Sequence, residues 1–214
     1  MIGIGNNILM KNKGSSFPTE VVDVVSATGR IWMDRNLGAT RAATSSADAE
    51  AYGDLYQWGR LADGHEKRTS ATTSVLSSTD VPGHGDFILT VATSYDWRNP
   101  QNDNLWQGMS SINDICPEGY RLPTEAEWNA EIATWSSQDP AGAFDSSLKL
   151  PIAGARSHID GSFNNVGIQG AYWSSTIDSI YSRHMFFYSN KYGSGAIFNS
   201  VSRGDGYSVR CIKD

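Results

Sequence analysis

The sequence predicts an α+β fold in which short strands and long irregular loops surround one or two helices. Three observations carry that expectation. A capped helix opens at Thr124, residues 171–212 alternate like a bundle of strands, and residues 61–114 run through successive turn signals without a strong period. The helix entry is the sharpest of the three. In CPEGYRLPTEAEW, residues 116–128, Pro117 and Gly119 make a turn and Pro123 sets the φ that a helix start requires. Thr124 with Glu127 three residues later then forms a capping box. Trp128, Ile132 and Trp135 follow at spacings of four and three, so the helix should run about three turns and turn one apolar stripe to a core.

In chain order, residues 1–19 read as an arm, because Ile2, Ile4, Ile8, Leu9 and Met10 call for an apolar partner or a second subunit. Residues 21–25 and 30–34 form a hairpin about Thr28 and Gly29, with Trp32 and Leu37 facing inward. Asp34, Arg35 and Asn36 look like chemistry, yet the simpler reading is a buried ion pair that fixes the next loop. Residues 39–51 should contain a short helix capped by Ser46 or Asp48. Residues 52–60 line the core as either helix or strand. Trp97, Leu105 and Trp106 should pin the irregular passage that follows. Beyond the capped helix, residues 138–142 read as a loop, 148–151 as a short strand and 157–170 as turns. Strands are expected at 171–175, 185–189, 195–199 and 207–212. With no repeats and no low-complexity linker, residues 20–214 form a single domain.

Composition limits the partners. At 214 residues the chain can bury a core unaided, and 19% charged with 11% aromatic residues is not the balance of a disordered protein. A net charge of -6 argues against nucleic acid, which requires a basic face. No apolar run approaches the ~20 residues that span a bilayer, so membrane insertion is not expected. The first residues lack the basic and apolar regions of a secretory leader. The reading is therefore a protein made in a cytoplasm, with a removed leader as the alternative.

The motif at 116–128 resembles the helix entry of formylglycine-generating-enzyme-like proteins and, more closely, that of the Fibrobacter succinogenes-type major paralogous (FISUMP) domains. The likeness continues through GRIWMDRNL at 29–37, YGDLYQW at 52–58, LKLP at 148–151 with AGAR at 153–156, YWSST at 172–176 and SVRCIKD at 208–214. It implies a C-type-lectin-like fold, and in that fold a disulfide commonly joins the first helix to the last strand, here Cys116 to Cys211. Two buried free thiols are the alternative.

The search for chemistry returns little. His65, His84, His158 and His184 show no metal-ligand spacing and read as surface or loop residues. No serine elbow and no phosphate-binding glycine loop is present. The formylglycine-generating enzymes hold copper with a pair of cysteines near the C-terminus. Here Cys211 stands alone in that region and GAYWSS at 170–175 replaces their active-site block, so the expectation is a domain that is not an enzyme and has no cofactor. Calcium remains possible through Asp103, Asn104, Asn113 and Asp114, with turn capping by Asx side chains as the alternative.

What remains is a binding surface. Residues 172–207 are rich in Ser, Tyr, Asn and Gly, the composition of antibody paratopes and equally of ordinary exposed hairpins. Tyr172, Tyr181, Arg183, His184, Tyr188, Tyr192 and Arg203 are the contact candidates, and Trp173 reads as core. The region also resembles the diversified end of lectin-like receptor-binding proteins of some bacteriophages. Together these imply a recognition or adhesion domain on a phage virion, in a fibre, tip or capsid-surface protein. It would bind a cell-surface glycan or protein and attach to other virion proteins, or to its own copies in an oligomer, through the arm. A secreted bacterial surface adhesin and a purely structural virion decoration protein are the alternatives.

Overall fold

The computed structural model describes residues 19–90, 95–188 and 195–214. The expected arm lies outside them except for Thr19, which is buried and accepts a hydrogen bond from the Gly38 N–H at 2.7 Å. Among the described residues, short strands in several sheets and two α-helices make up a mixed α+β architecture. Among the described residues, no helix is long and apolar enough to cross a membrane.

Strands β1 (Asp23–Val25) and β2 (Ile31–Met33) form the expected hairpin, in register Asp23 to Met33. Gly29 at its turn has φ 79, a left-handed conformation that a side chain would oppose. Arg35 then grips Asp34 with two bonds of 2.7 and 2.9 Å and donates to the Thr40 carbonyl at 3.0 Å, so the ion pair does hold the following loop. A single 3-10 turn at Ala49–Ala51 is capped by Asp48, whose side chain accepts from the Glu50 N–H. The aromatic passage contains the strand β3 (Tyr56–Gln57), and Leu55, Tyr56 and Trp58 are all buried. In the long irregular stretch, β4 (Thr72–Thr73) and β5 (Phe87–Ile88) pair in parallel, and Trp97, Leu105 and Trp106 are buried as expected. Strand β6 (Tyr120–Arg121) leads into α1 (Glu125–Ile132).

The capping box at Thr124 is complete: Thr124 Oγ1 accepts from the Glu127 N–H at 3.2 Å, and Glu127 Oε2 accepts from the Thr124 N–H at 2.9 Å. The helix is shorter than the apolar spacing suggests. It ends at Ile132, and Trp135 is buried by a following turn in which its N–H donates to the Ile132 carbonyl. Residues 138–142 are not a loop. Asp139 accepts from the N–H groups of Ala141 and Gly142, Pro140 occupies the first helical position, and α2 (Pro140–Asp145) results. Residues 148–151 are not a strand either. Lys149 has φ 49, which no ladder accommodates, and Leu148 and Leu150 are buried within an irregular segment.

Strands β7 (Ala155–Arg156), β8 (Phe163–Asn164), β9 (Gln169–Asp178), β10 (Tyr181–Tyr188), β11 (Ile197–Val201), β12 (Gly206–Tyr207) and β13 (Ile212–Lys213) complete the chain. The sheet orders are β1-β2-β13-β6, β11-β10-β9 and β3-β12-β7-β8. The expected strand at 207–212 is therefore split between two sheets. Its middle leaves both ladders, with Ser208 exchanging backbone bonds with Ala171 and Trp173 of β9 at 3.1 Å each. Cys116 and Cys211 are bonded, with Cα atoms 5.9 Å apart. Both are fully buried, and the bond ties the approach to β6 to the approach to β13.

Strand alternation on β10 sends its side chains to two places. Met185 and Phe187 point to a core shared with Trp32, Trp128 and Tyr172. Phe186 joins the other core, with Trp58, Trp173 and Tyr207. Where strands are this short, side chains replace missing ladder bonds. Fully buried Arg60 donates to the carbonyls of His84 and Asp86, and Arg210 donates to those of Met33 and Leu148.

Candidate recognition cleft

The face of β10 that carries His184, Phe186 and Tyr188 opens into a cleft of about 320 Å³, walled by β11 on one side and by residues 155–169 on the other. Its floor is an aromatic stack. His184 lies 4.5 Å from Tyr207, nearly coplanar at 8°, and 5.1 Å from Phe186 at 17°. Tyr188 meets Phe186 edge to face at 5.4 Å, the geometry favoured by ring quadrupoles. His184 is buried, which drives its pKa down to about 4, while its bond to the Asn199 carbonyl opposes the shift. The ring is thus neutral near pH 7. Because the carbonyl can only accept, Nδ1 carries the proton, donated across 3.2 Å.

The rim is polar. Asp205 Oδ1 accepts from the backbone N–H of His158 at 3.1 Å and lies 2.6 Å from its Nδ1, and the Tyr207 hydroxyl donates to Oδ2 at 3.3 Å. Because the carboxylate can only accept, the His158 Nδ1 is the donor in this contact. Burial raises the Tyr207 hydroxyl well above its ordinary value, with Asp205 adding to the shift, so the phenol stays a donor. The exposed amides of Asn164 and Asn199 stand on opposite walls, and Asn165 donates to Gln169 at 3.0 Å.

Of the contact candidates, the structure places Tyr188 and His184 at this cleft and disperses Tyr172, Tyr181, Arg183 and Arg203. Tyr172 and Arg203 are fully buried and His184 nearly so, which corrects the expectation that these three present an outer surface. The Tyr172 hydroxyl is turned inward to donate to the Pro151 carbonyl at 2.7 Å. Arg203 packs its guanidinium 4.7 Å over Trp58 and pairs with Asp103 at 2.7 Å. Arg183 is committed to α1 through two bonds to Glu125, of 2.7 and 2.9 Å, and Tyr181 meets the Tyr95 ring at 4.9 Å with a tilt of 53°. Tyr192 lies outside the described residues. Sequence reasoning missed Phe186, Asn164, Asn199, His158 and the contact role of Asp205. The period-two run of aromatic rings at 184, 186 and 188 was the available signal.

His184, buried within a strand, departs from the expectation of surface or loop histidines, whereas His65 does lie in a loop but is fully buried there. His65 sits with Asp63 and Glu66 in a group whose ligand atoms lie within 4.8 Å of one another. Both ring nitrogens are already used. Nε2 accepts from the Gln57 N–H at 3.1 Å, so Nδ1 must donate to Asp63 at 2.8 Å. Asp63 in turn holds Arg60 at 2.9 Å, and the cluster is a buried structural knot. Of the four residues considered for calcium, three side chains make other bonds. Asp103 pairs with Arg203, Asn113 donates to the carbonyls of Gly59 and Asp80, and Asp114 accepts from the Cys116 N–H.

Compared with known proteins, the chain matches no family model, no curated protein and no solved structure.

Proposed function

We propose that this protein is a non-enzymatic recognition domain of C-type-lectin-like, FISUMP type, carried on a phage virion, and that the β10 cleft binds a ligand on the host surface. The observation that carries the reading is the pairing of an aromatic floor with a rim of amides, a carboxylate and an imidazole in one concave site. Rings supply contact area at little entropic cost, and small polar groups supply directed hydrogen bonds. Among the described residues lining the cleft the one carboxylate is Asp205, held by His158 and Tyr207, an arrangement suited to gripping a hydroxyl. Two-carboxylate hydrolysis would need a second such group facing it.

Binding of labelled protein to a panel of bacterial cells tests the proposal. Tyr188→Ala and Asn199→Ala should each weaken retention about tenfold or more, on the scale of a lost anchor or directed bond. Tyr181→Ala, outside the cleft, should leave it unchanged. Equal retention of all variants would overturn the assignment of the site. A parallel measurement with chelator shows whether a divalent cation takes part.

A further inference from the structure

We propose that the cleft selects an uncharged saccharide end and rejects anionic sugars, an inference that rests on the recognition reading above. The argument is a charge account of the walls. Among the described residues lining the cleft, Arg156 is the one permanent cation, and it is 4% exposed. All three of its guanidinium nitrogens are bonded inward: Nε to the Gly161 carbonyl at 3.0 Å, Nη1 to Ser70 Oγ at 2.6 Å, and Nη2 to the Ser70 carbonyl at 2.9 Å. Its face also lies 4.3 Å over the Phe87 ring. No fork is left to receive a carboxylate, sulfate or phosphate in the bidentate geometry such groups favour.

The opposite charge is present and placed to act. Asp205 lines the cleft with its carboxylate oriented by His158 and Tyr207, and its Oδ2 keeps a lone pair for a further donor. A sugar hydroxyl is such a donor, whereas an anionic substituent would meet like charge. The remaining polar lining fits the same ligand. Asn164 and Asn199 each offer both a donor and an acceptor, as vicinal hydroxyls require. The partly exposed Tyr188 ring gives a flat apolar surface for the C–H face of a pyranose. At about 320 Å³ the cleft is at the small end of ligand sites, which suits one or two sugar rings at a chain terminus.

The full chain, applied to an immobilised panel of neutral, sialylated, sulfated and phosphorylated oligosaccharides at fixed salt, tests the inference. The expected result is retention of neutral glycans and at least tenfold weaker retention of the anionic counterparts of the same core. Asn199→Ala should weaken the neutral signal, and Asp205→Asn should narrow the gap between neutral and anionic forms. Should Asp205→Asn fold poorly, as judged by its melting curve, Asn199→Ala alone carries the test. Preferential retention of anionic glycans would overturn the inference while leaving the cleft as the site. Retention of no glycan, with cell binding still weakened by Tyr188→Ala, would also overturn it and assign the cleft to a protein ligand. Cell binding indifferent to every cleft variant would instead remove the recognition reading itself.

Discussion

Glu131 shows how one buried group sets a pH response. It is 1% exposed, and no hydrogen bond closes on either carboxyl oxygen, although Ser26 and Trp135 stand near enough to offset part of the burial. Burial raises its pKa above the ordinary 4.5. A carboxyl raised in the folded state binds its proton more tightly there than when unfolded, so its contribution is most favourable below about 4.5 and declines as pH rises through the folded value. Glu131→Gln should therefore raise stability at pH 7 by about 1 kcal/mol, the scale of one unsatisfied buried polar group. Thermal melts of both proteins from pH 4 to 8 should diverge with rising pH. Parallel curves would mean that the carboxyl binds its proton equally well folded and unfolded, and would overturn the expectation.

At the scale of the element, the N-terminus of α1 titrates with the opposite sign. Burial alone would raise the Glu127 pKa, but bonds from Arg121 at 2.7 and 2.8 Å and from Thr124 outweigh it and bring the value to about 2. A depressed pKa contributes stability above the unfolded value and loses it as pH falls toward the folded one. Glu127→Gln should cost about 1 to 2 kcal/mol at pH 7, within the range of capping interactions, and the difference should shrink between pH 4.5 and 2. Chemical denaturation at pH 7 and pH 3 checks it. The start of this element was fully legible, because a capping box is closed by residues three apart and needs no partner from elsewhere. The second helix had its own local signal in Asp139 before Pro140, overshadowed by a turn-like composition. The strand expected at 148–151 failed for a tertiary reason: Leu148 and Leu150 are buried by α2 and the core, not by a sheet.

For the whole molecule, the Cys116–Cys211 bond spans a sequence separation of 95 and joins two of the strand approaches around which the first sheet closes. In the chain-entropy picture, removing it should cost up to about 4 kcal/mol. Cys116→Ser with Cys211→Ser, or added reductant, should lower the urea midpoint accordingly, and an unchanged midpoint would show that packing alone holds the two approaches together. The same closure explains why strands of two residues suffice. Arg60 and Arg210 supply carbonyl partners that longer ladders would otherwise provide. Replacing either should destabilise more than an exposed arginine would.

By itself the sequence determined what adjacent residues settle among themselves: the first hairpin about Gly29, the cap at Thr124, the inward Trp32 and Trp173, and the two long strands near the C-terminus. Only the tertiary structure decided which face of those strands meets water. Tyr172 and Tyr188 are equally amphipathic as residues, and one is buried while the other lines the cleft because α1 packs against one side of the β9–β10 pair, whereas the second core covers the other side and leaves the cleft beside Tyr188. The cleft itself joins residues from β7 to β12, with Asp205 meeting His158 across 47 positions. Composition can mark the stretch where a surface will form, but opposed walls exist only once distant segments have been brought face to face.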